Sequence, residues 1–117
     1  MTLKEFYSII GGNYANVIAR LDNETIVIKF LKRFSEDDIL EQLEQEIAAG
    51  NQKEAFKLAH SFKGACVNMG VGNLEESAKQ LTEALRVEFL PQVPALFEKV
   101  KEDYKVVVNA IESLDEI

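Results

Sequence analysis

Residues 52–69 read QKEAFKLAHSFKGACVNM. Within that stretch Ala55, Ala59, Phe62, Cys66 and Met69 recur at steps of 4, 3, 4 and 3, the spacing that lines up one face of an α-helix. Asn51 stands just before it, with Glu54 three residues later. That pair resembles a capping box with Asn in the Ser/Thr role, in which each side chain satisfies a free backbone N–H of the first turn. Gly70 and Gly72 close the segment, since glycine accepts the left-handed turn that ends helices. The pattern predicts a helix from about Gln52 to about Met69.

Working outward, the same period continues in both directions. Leu40, Leu43 and Ile47 share a face of a preceding helix that Ser35 can cap and Gly50 stops. Stop and start packed into Gly50–Asn51 leave a short connection, which makes the two helices antiparallel neighbours. Before them Val27, Phe30, Leu31 and Phe34 mark another helix, with Asp22 or Asn23 as its cap. After Gly72, Asn73 with Glu76 repeats the cap pattern and opens a helix carrying Leu74, Ala78, Leu81 and Leu85. Phe89–Pro94 interrupts it. Pro94 fits the first turn of a last helix, where its missing N–H costs nothing; Leu96, Val100, Val107, Ile111 and Leu114 form that helix's stripe. Two short pieces, Thr2–Ile10 and Asn13–Leu21, flank Gly11–Gly12 at the start. No segment alternates with a period of two. The expected fold is all-α: an antiparallel up-down four-helix bundle over residues 22–117, with residues 1–21 as short N-terminal capping helices of the same compact domain.

Composition narrows function. The 117 residues hold 13 Lys and Arg against 20 Asp and Glu, a net charge of 13 − 20 = −7. That balance argues against a nucleic-acid reader, which presents a basic surface. Apolar runs are far shorter than the roughly 20 residues of a spanning helix, and no basic n-region precedes an apolar one, so neither membrane nor secretion is expected. The lone Cys66 fits a reducing cytoplasm, and on the core stripe it reads as a small apolar filler. One His and one Cys fall short of a structural zinc set, and no metal or cofactor site is expected. Gly11–Gly12 lacks the Lys and Ser/Thr of a nucleotide loop. Met1 and the acidic end Asp115–Glu116–Ile117 fit a free-standing protein, expected to be a monomer.

The chemistry concentrates on the only histidine. At 100° per residue, the core stripe of the 52–69 helix lies about 150° from His60, so the imidazole faces solvent. Gly64 lies one turn on, over the same face. Glycine inside a helix costs about 1 kcal/mol relative to alanine, and what it provides is an uncovered imidazole that another backbone or a phosphoryl group can approach. Lys57 and Lys63 flank His60 three residues before and after. Residues 55–74 contain those two lysines and no acid, whereas residues 36–54 contain seven acids and one lysine. Nearby ammonium groups stabilise a phosphorylated side chain, and carboxylates repel it. His60, Lys63 and Gly64 therefore read as a site prepared for an anion on a histidine.

The segment Ala59-His60-Ser61-Phe62-Lys63-Gly64-Ala65-Cys66-Val67-Asn68-Met69-Gly70 resembles the signature of histidine-phosphotransfer (HPt) domains: Ala-His, any residue, an apolar residue, Lys-Gly, and a second Gly six residues later. Helix count and turns extend the resemblance over roughly Asp22 to Leu114. Phe62 stands where Leu is usual. The Leu-Glu pair that often closes the next helix is replaced by Leu81-Thr82, with Glu83 one place later, so no role passes to Glu83. The resemblance implies a phosphorelay intermediate. His60 would take a phosphoryl group from a receiver aspartyl phosphate or a histidine kinase and pass it to a receiver aspartate. Lys63 would steady the phosphoryl oxygens and Gly64 keep the site open. Mg²⁺ and most catalytic groups would belong to the partner, making this chain a phosphocarrier and not an enzyme. Phe56, Lys57, Val67, Asn68 and Val71, on or near the His60 face, are the candidate docking residues, and Gln80 or Lys79 of the following helix could reach the imidazole. Two other classes remain: a receiver-binding module that carries no phosphate, for which the His60–Lys63–Gly64 set is unnecessary, and a plain oligomerising bundle.

Overall fold

The computed structural model describes residues 1–115, and among them it contains seven helices and no strand. The helices are α1 (Leu3–Ile9), α2 (Tyr14–Leu21), α3 (Glu24–Glu36), α4 (Ile39–Ala48), α5 (Gln52–Met69), α6 (Gly72–Leu85) and α7 (Val93–Glu112). Of the acidic end that includes Glu116 and Ile117, those two residues lie outside the described residues. The molecule is 43 Å long and 22 by 19 Å across. Helix α5 packs against α4 and α6, α6 packs against α7, and α3 touches both α5 and α7. The connections at residues 49–51 and 70–71 force α4, α5 and α6 to alternate in direction.

All five residues of the stripe on α5 are buried, and they meet Leu31, Leu43, Leu74, Leu81 and Val100 in a single core. Three rings lock the middle of it. Phe34 stacks on Phe62 at 5.8 Å and 19°, and Tyr104 meets Phe34 edge-on at 5.7 Å and Phe62 at 5.9 Å. The Tyr104 hydroxyl donates to the Phe34 carbonyl at 3.1 Å, which satisfies its one polar atom near the end of α3. Cys66 is fully buried, and burial pushes its thiol pKa up, with the Glu75 charge adding to it. It is a filler, inert as a nucleophile.

The chain breaks between α3 and α4 at Asp37–Asp38 in place of the expected Ser35 cap. Ser35 lies inside α3, with its hydroxyl donating to the Lys32 carbonyl at 2.7 Å, and the Asp37 carboxylate accepts the Ile39 N–H at 2.9 Å. Asn23 caps α3, accepting from the Ile26 N–H. Asn51 precedes α5 but makes no cap bond; its amide donates backwards to the Glu46 carboxylate at 2.7 Å. The left-handed Gly50 (φ 75°) turns the chain so that the Asn51 side chain faces the helix it has just left. Asn73 is not a cap either, because α6 begins one residue earlier.

The N-terminal segment explains that early start. The Thr2 hydroxyl and Glu5 carboxylate form a full capping box on α1, and Asn13 caps α2. Both helices then seat on the turn between α5 and α6. The Tyr7 hydroxyl donates to the Met69 carbonyl at 2.6 Å, and the Asn73 N–H donates to the Ile10 carbonyl at 3.2 Å. At the joint the backbones touch: a Cβ on Gly12 would strike the Gly70 carbonyl, and one on Gly72 would strike the Gly11 carbonyl. The α-ammonium of Met1 reaches across to the Ser113 carbonyl at 2.6 Å and the Asp115 carboxylate at 3.3 Å. One end of the molecule is thereby closed.

Gly72→Ala should lower stability by about 1–3 kcal/mol, the usual cost of forcing atoms into a packed contact. Urea denaturation followed by circular dichroism reads it directly. An unchanged midpoint would mean that residues 1–21 lift away without cost.

Candidate functional site

His60 sits midway along α5 with its imidazole exposed, as the helical wheel requires. Phe56, one turn earlier, is half-buried, and its ring lies 5.8 Å from the imidazole at 47°. One turn later, a Cβ placed on Gly64 would meet no atom within 4 Å. A close helix–helix contact is therefore not what this glycine provides. Its absent side chain leaves open space beside the imidazole, in a helix that would be more stable with alanine there.

The lysines differ in their surroundings. Lys57 is held at 3.3 Å by the Glu54 carboxylate, an exposed pair three residues apart. Lys63 makes no ion pair among the described residues, but its charge is felt by Glu83 of α6. The Glu83 carboxyl is held below the ordinary carboxylate range, chiefly by hydrogen bonds from Arg86 and further by the charges of Arg86 and Lys63. The carboxylate-free character of residues 55–74 thus does not survive folding. Helix α6 brings Glu83 to the lysines, because charges separated along the chain become neighbours in an antiparallel pair, and Glu54 in the first turn of α5 reaches Lys57 along the same helix.

Of the docking candidates, Val67 is 39 % exposed, Asn68 is exposed and Phe56 is partly so. The backbone carbonyls of Val67 and Asn68 are fixed by the Arg20 guanidinium, at 3.3 and 2.7 Å. Val71 requires correction: it is 0 % exposed and belongs to the core. The helical wheel does not extend past Gly70, whose left-handed turn (φ 64°) sends the next side chain inward. Gln80 is also placed elsewhere. It lines the groove between α6 and α7 with Gln92, Leu96, Lys99 and Asp103, and its amide donates to Glu76. On α6 the buried stripe of Leu74, Ala78, Leu81 and Leu85 separates that flank from the one facing α5, which carries Thr82 and Arg86. The Lys79 ammonium pairs with Glu75 at 3.4 Å. Thr82 is buried and donates its hydroxyl to the Ala78 carbonyl.

Sequence reading missed Arg86 and left Glu83 without a role. The Glu83 carboxylate accepts two hydrogen bonds from the Arg86 guanidinium, at 2.6 and 3.1 Å, and that guanidinium lies 5.2 Å from the centre of the Phe56 ring. The end of α6 is pinned there, since the Gln52 amide donates to the Leu85 and Arg86 carbonyls. A signal existed: folding the sequence about Gly70–Val71 sets Arg86 opposite Phe56. The sum is a solvent-facing imidazole, open on one side at Gly64, with a lysine and an arginine on the side of α6. Among the described residues no three His, Cys, Asp or Glu side chains group as a metal-ligand set.

Comparison with known proteins bears on this geometry. A family model described as "Hpt domain" matches residues 29–116. Among solved structures, the crystal structure of histidine-containing phosphotransfer protein B (HptB) from Pseudomonas aeruginosa PAO1 resembles this one with a TM-score of 0.71 and 28 % sequence identity. The match covers 87 % of this chain and 91 % of that one. No curated protein matches it. With its family match spanning α4 to α7 and most of α3, the chain belongs to the Hpt domain family.

Proposed function

We propose that the protein is a histidine phosphocarrier of a two-component phosphorelay, and that His60 is the residue that carries the phosphoryl group. The observation that supports this best is the exposed imidazole beside the open space at Gly64. A neutral imidazole nitrogen attacks the phosphorus of a donor's aspartyl phosphate or phosphohistidine. The N–P bond forms as the donor's bond to phosphorus breaks, and the donor leaves with that electron pair. The reverse exchange delivers the group to a receiver aspartate. Such transfer depends on in-line approach and on charge stabilisation. Gly64 permits the approach, and Lys63 stabilises the incoming oxygens.

The same reading takes α3 and α4 as one interrupted arm of an up-down four-helix bundle completed by α5, α6 and α7, with residues 1–21 as its cap. Partners are a receiver domain and a histidine kinase, which bring Mg²⁺ and the remaining catalytic groups. They dock over Phe56, Val67 and Asn68, where apolar surface borders the imidazole, with Lys57 at the margin. The protein works as a cytoplasmic monomer. No helix among the described residues is long and apolar enough to cross a membrane.

Incubation with a small phosphoryl donor, or with a phosphorylated receiver and Mg²⁺, should add one phosphoryl mass that is lost in acid and survives base. His60→Gln should remove that gain while shifting stability by no more than about 0.5 kcal/mol, as for other exposed positions. A receiver that binds without any mass gain, across several competent donors, would instead mark a binding module. Gly64 separates access from stability. Gly64→Ala should stabilise the fold by about 1 kcal/mol, whereas Gly64→Leu should slow transfer on the order of a hundredfold by displacing the donor. Transfer by Gly64→Leu at the unsubstituted rate would refute the access argument.

A further inference from the structure

Glu83 and Arg86 have no part in the reading above, yet they form a continuous line to its centre. Glu83 grips Arg86 through two hydrogen bonds, Arg86 lies over Phe56, and Phe56 lies against His60. The other carboxylate beside the site's lysines, Glu54, holds Lys57 alone. Glu83 precedes Arg86 by three residues on α6 at the exposed rim of the α6–α7 groove, and the charges of Arg86 and Lys63 both act on it. The guanidinium is 5.2 Å from the Phe56 centroid and that centroid 5.8 Å from the imidazole. Rotation of the long Arg86 side chain across the face of Phe56 closes such a gap, and an aromatic face favours a cation along that path.

Resting on the phosphocarrier reading, we propose that Glu83 is a built-in competitor for the phosphoryl group: it holds Arg86 while His60 is bare, and phosphorylation of His60 draws Arg86 away from Glu83 onto the phosphoryl oxygens. The direction follows from charge. A phosphoryl group carries about −1.5 to −2 at neutral pH against −1 for a carboxylate, and both offer the paired acceptors that a guanidinium prefers. Release of Arg86 from Glu83 costs little, because both side chains are exposed and exposed ion pairs are weak. Once the group leaves, Glu83 reclaims the arginine and repels a returning phosphate. The carrier therefore holds its cargo firmly enough to survive transit and releases it without a buried site to unload.

The test uses the full chain, labelled with a small phosphoramidate donor that is then removed, so that no receiver influences the result. Loss of label is hydrolysis: water attacks phosphorus, the N–P bond breaks, and the imidazole nitrogen takes the proton as phosphate departs. Labelling wild type should shift the Arg86 Nε–H resonance. Glu83→Gln should lengthen the phosphohistidine half-life about threefold and Arg86→Gln shorten it by a similar factor, the size expected of one exposed charge contact. In an Arg86→Gln background, Glu83→Gln should lose most of its gain. All three variants are at exposed positions, and circular dichroism checks their fold. A labelled wild type whose Arg86 resonance stays put, or in which Glu83→Gln keeps its full gain without Arg86, overturns the exchange and leaves the carrier reading standing. A wild type that accepts no label from any donor overturns the carrier reading itself, and the exchange with it.

Discussion

Helix α5 has to be buried and bare at once, and the rest of the molecule is arranged around that constraint. Five residues of one stripe, ending at Met69, are sunk in the core, while His60 and Gly64 lie on the opposite stripe. A helix can sustain this only if the buried side is anchored strongly enough to make up for a glycine in its middle. The stacked Phe34 and Phe62 rings, closed by Tyr104, supply that anchor at the level of the site itself. Phe62 and His60 are two residues apart in sequence and about 200° apart around the helix, so the ring that fixes α5 cannot shade the imidazole it positions.

The two ends of α5 are held by different means, with different consequences. At its C-terminal end the backbone of residues 11–12 lies directly on that of residues 70–72, and Tyr7 and Arg20 bond to carbonyls of the last turn. Burial pushes the Tyr7 phenol pKa up, so that phenol remains a donor at any physiological pH. At the N-terminal end, the Gln52 amide bonds to carbonyls at the end of α6 and Arg86 lies over Phe56, and the Glu83 and Arg86 side chains beside them are exposed and charged. Backbone packing holds one end of the helix, and exposed side chains, Arg86 among them, line the other.

Most of the helices, and the stripe each one buries, were legible because period 3.6 is written into every segment. The core residues read from the sequence, from Val27 to Leu114, lie in or against one buried cluster. What failed was local. Ser35, Asn51 and Asn73 carry the right side chains for caps, but their backbones are committed elsewhere by Asp37–Asp38, by Gly50 and by the docked N-terminal segment. Val71 failed because periodicity stops at the left-handed Gly70. At the site, the residues along one helix were readable, and those brought from α6 were not. Gln80 and Thr82 are two residues apart and fall on opposite flanks, a distinction that depends on the rotation of α6 against α5 and that no single segment encodes.

That same rotation decides the electrostatics. A chain of net charge −7 is poorly disposed toward the phosphoryl group proposed for His60, and the apparent remedy, a run of sequence free of acids around His60, is undone when α6 folds alongside with Glu83. The remedy that survives folding is asymmetry: Glu83 arrives with Arg86 bound to it and Lys63 close by, so the flank facing α6 is net cationic by one charge even with the acid counted. Because all three groups are solvated, that surplus is modest and adjustable. Stabilisation of this strength suits a carrier that must accept and surrender the same group. A deep pocket would favour holding the phosphoryl group over passing it on, whereas a solvated surface site lets the affinities of the partners set the direction of flow.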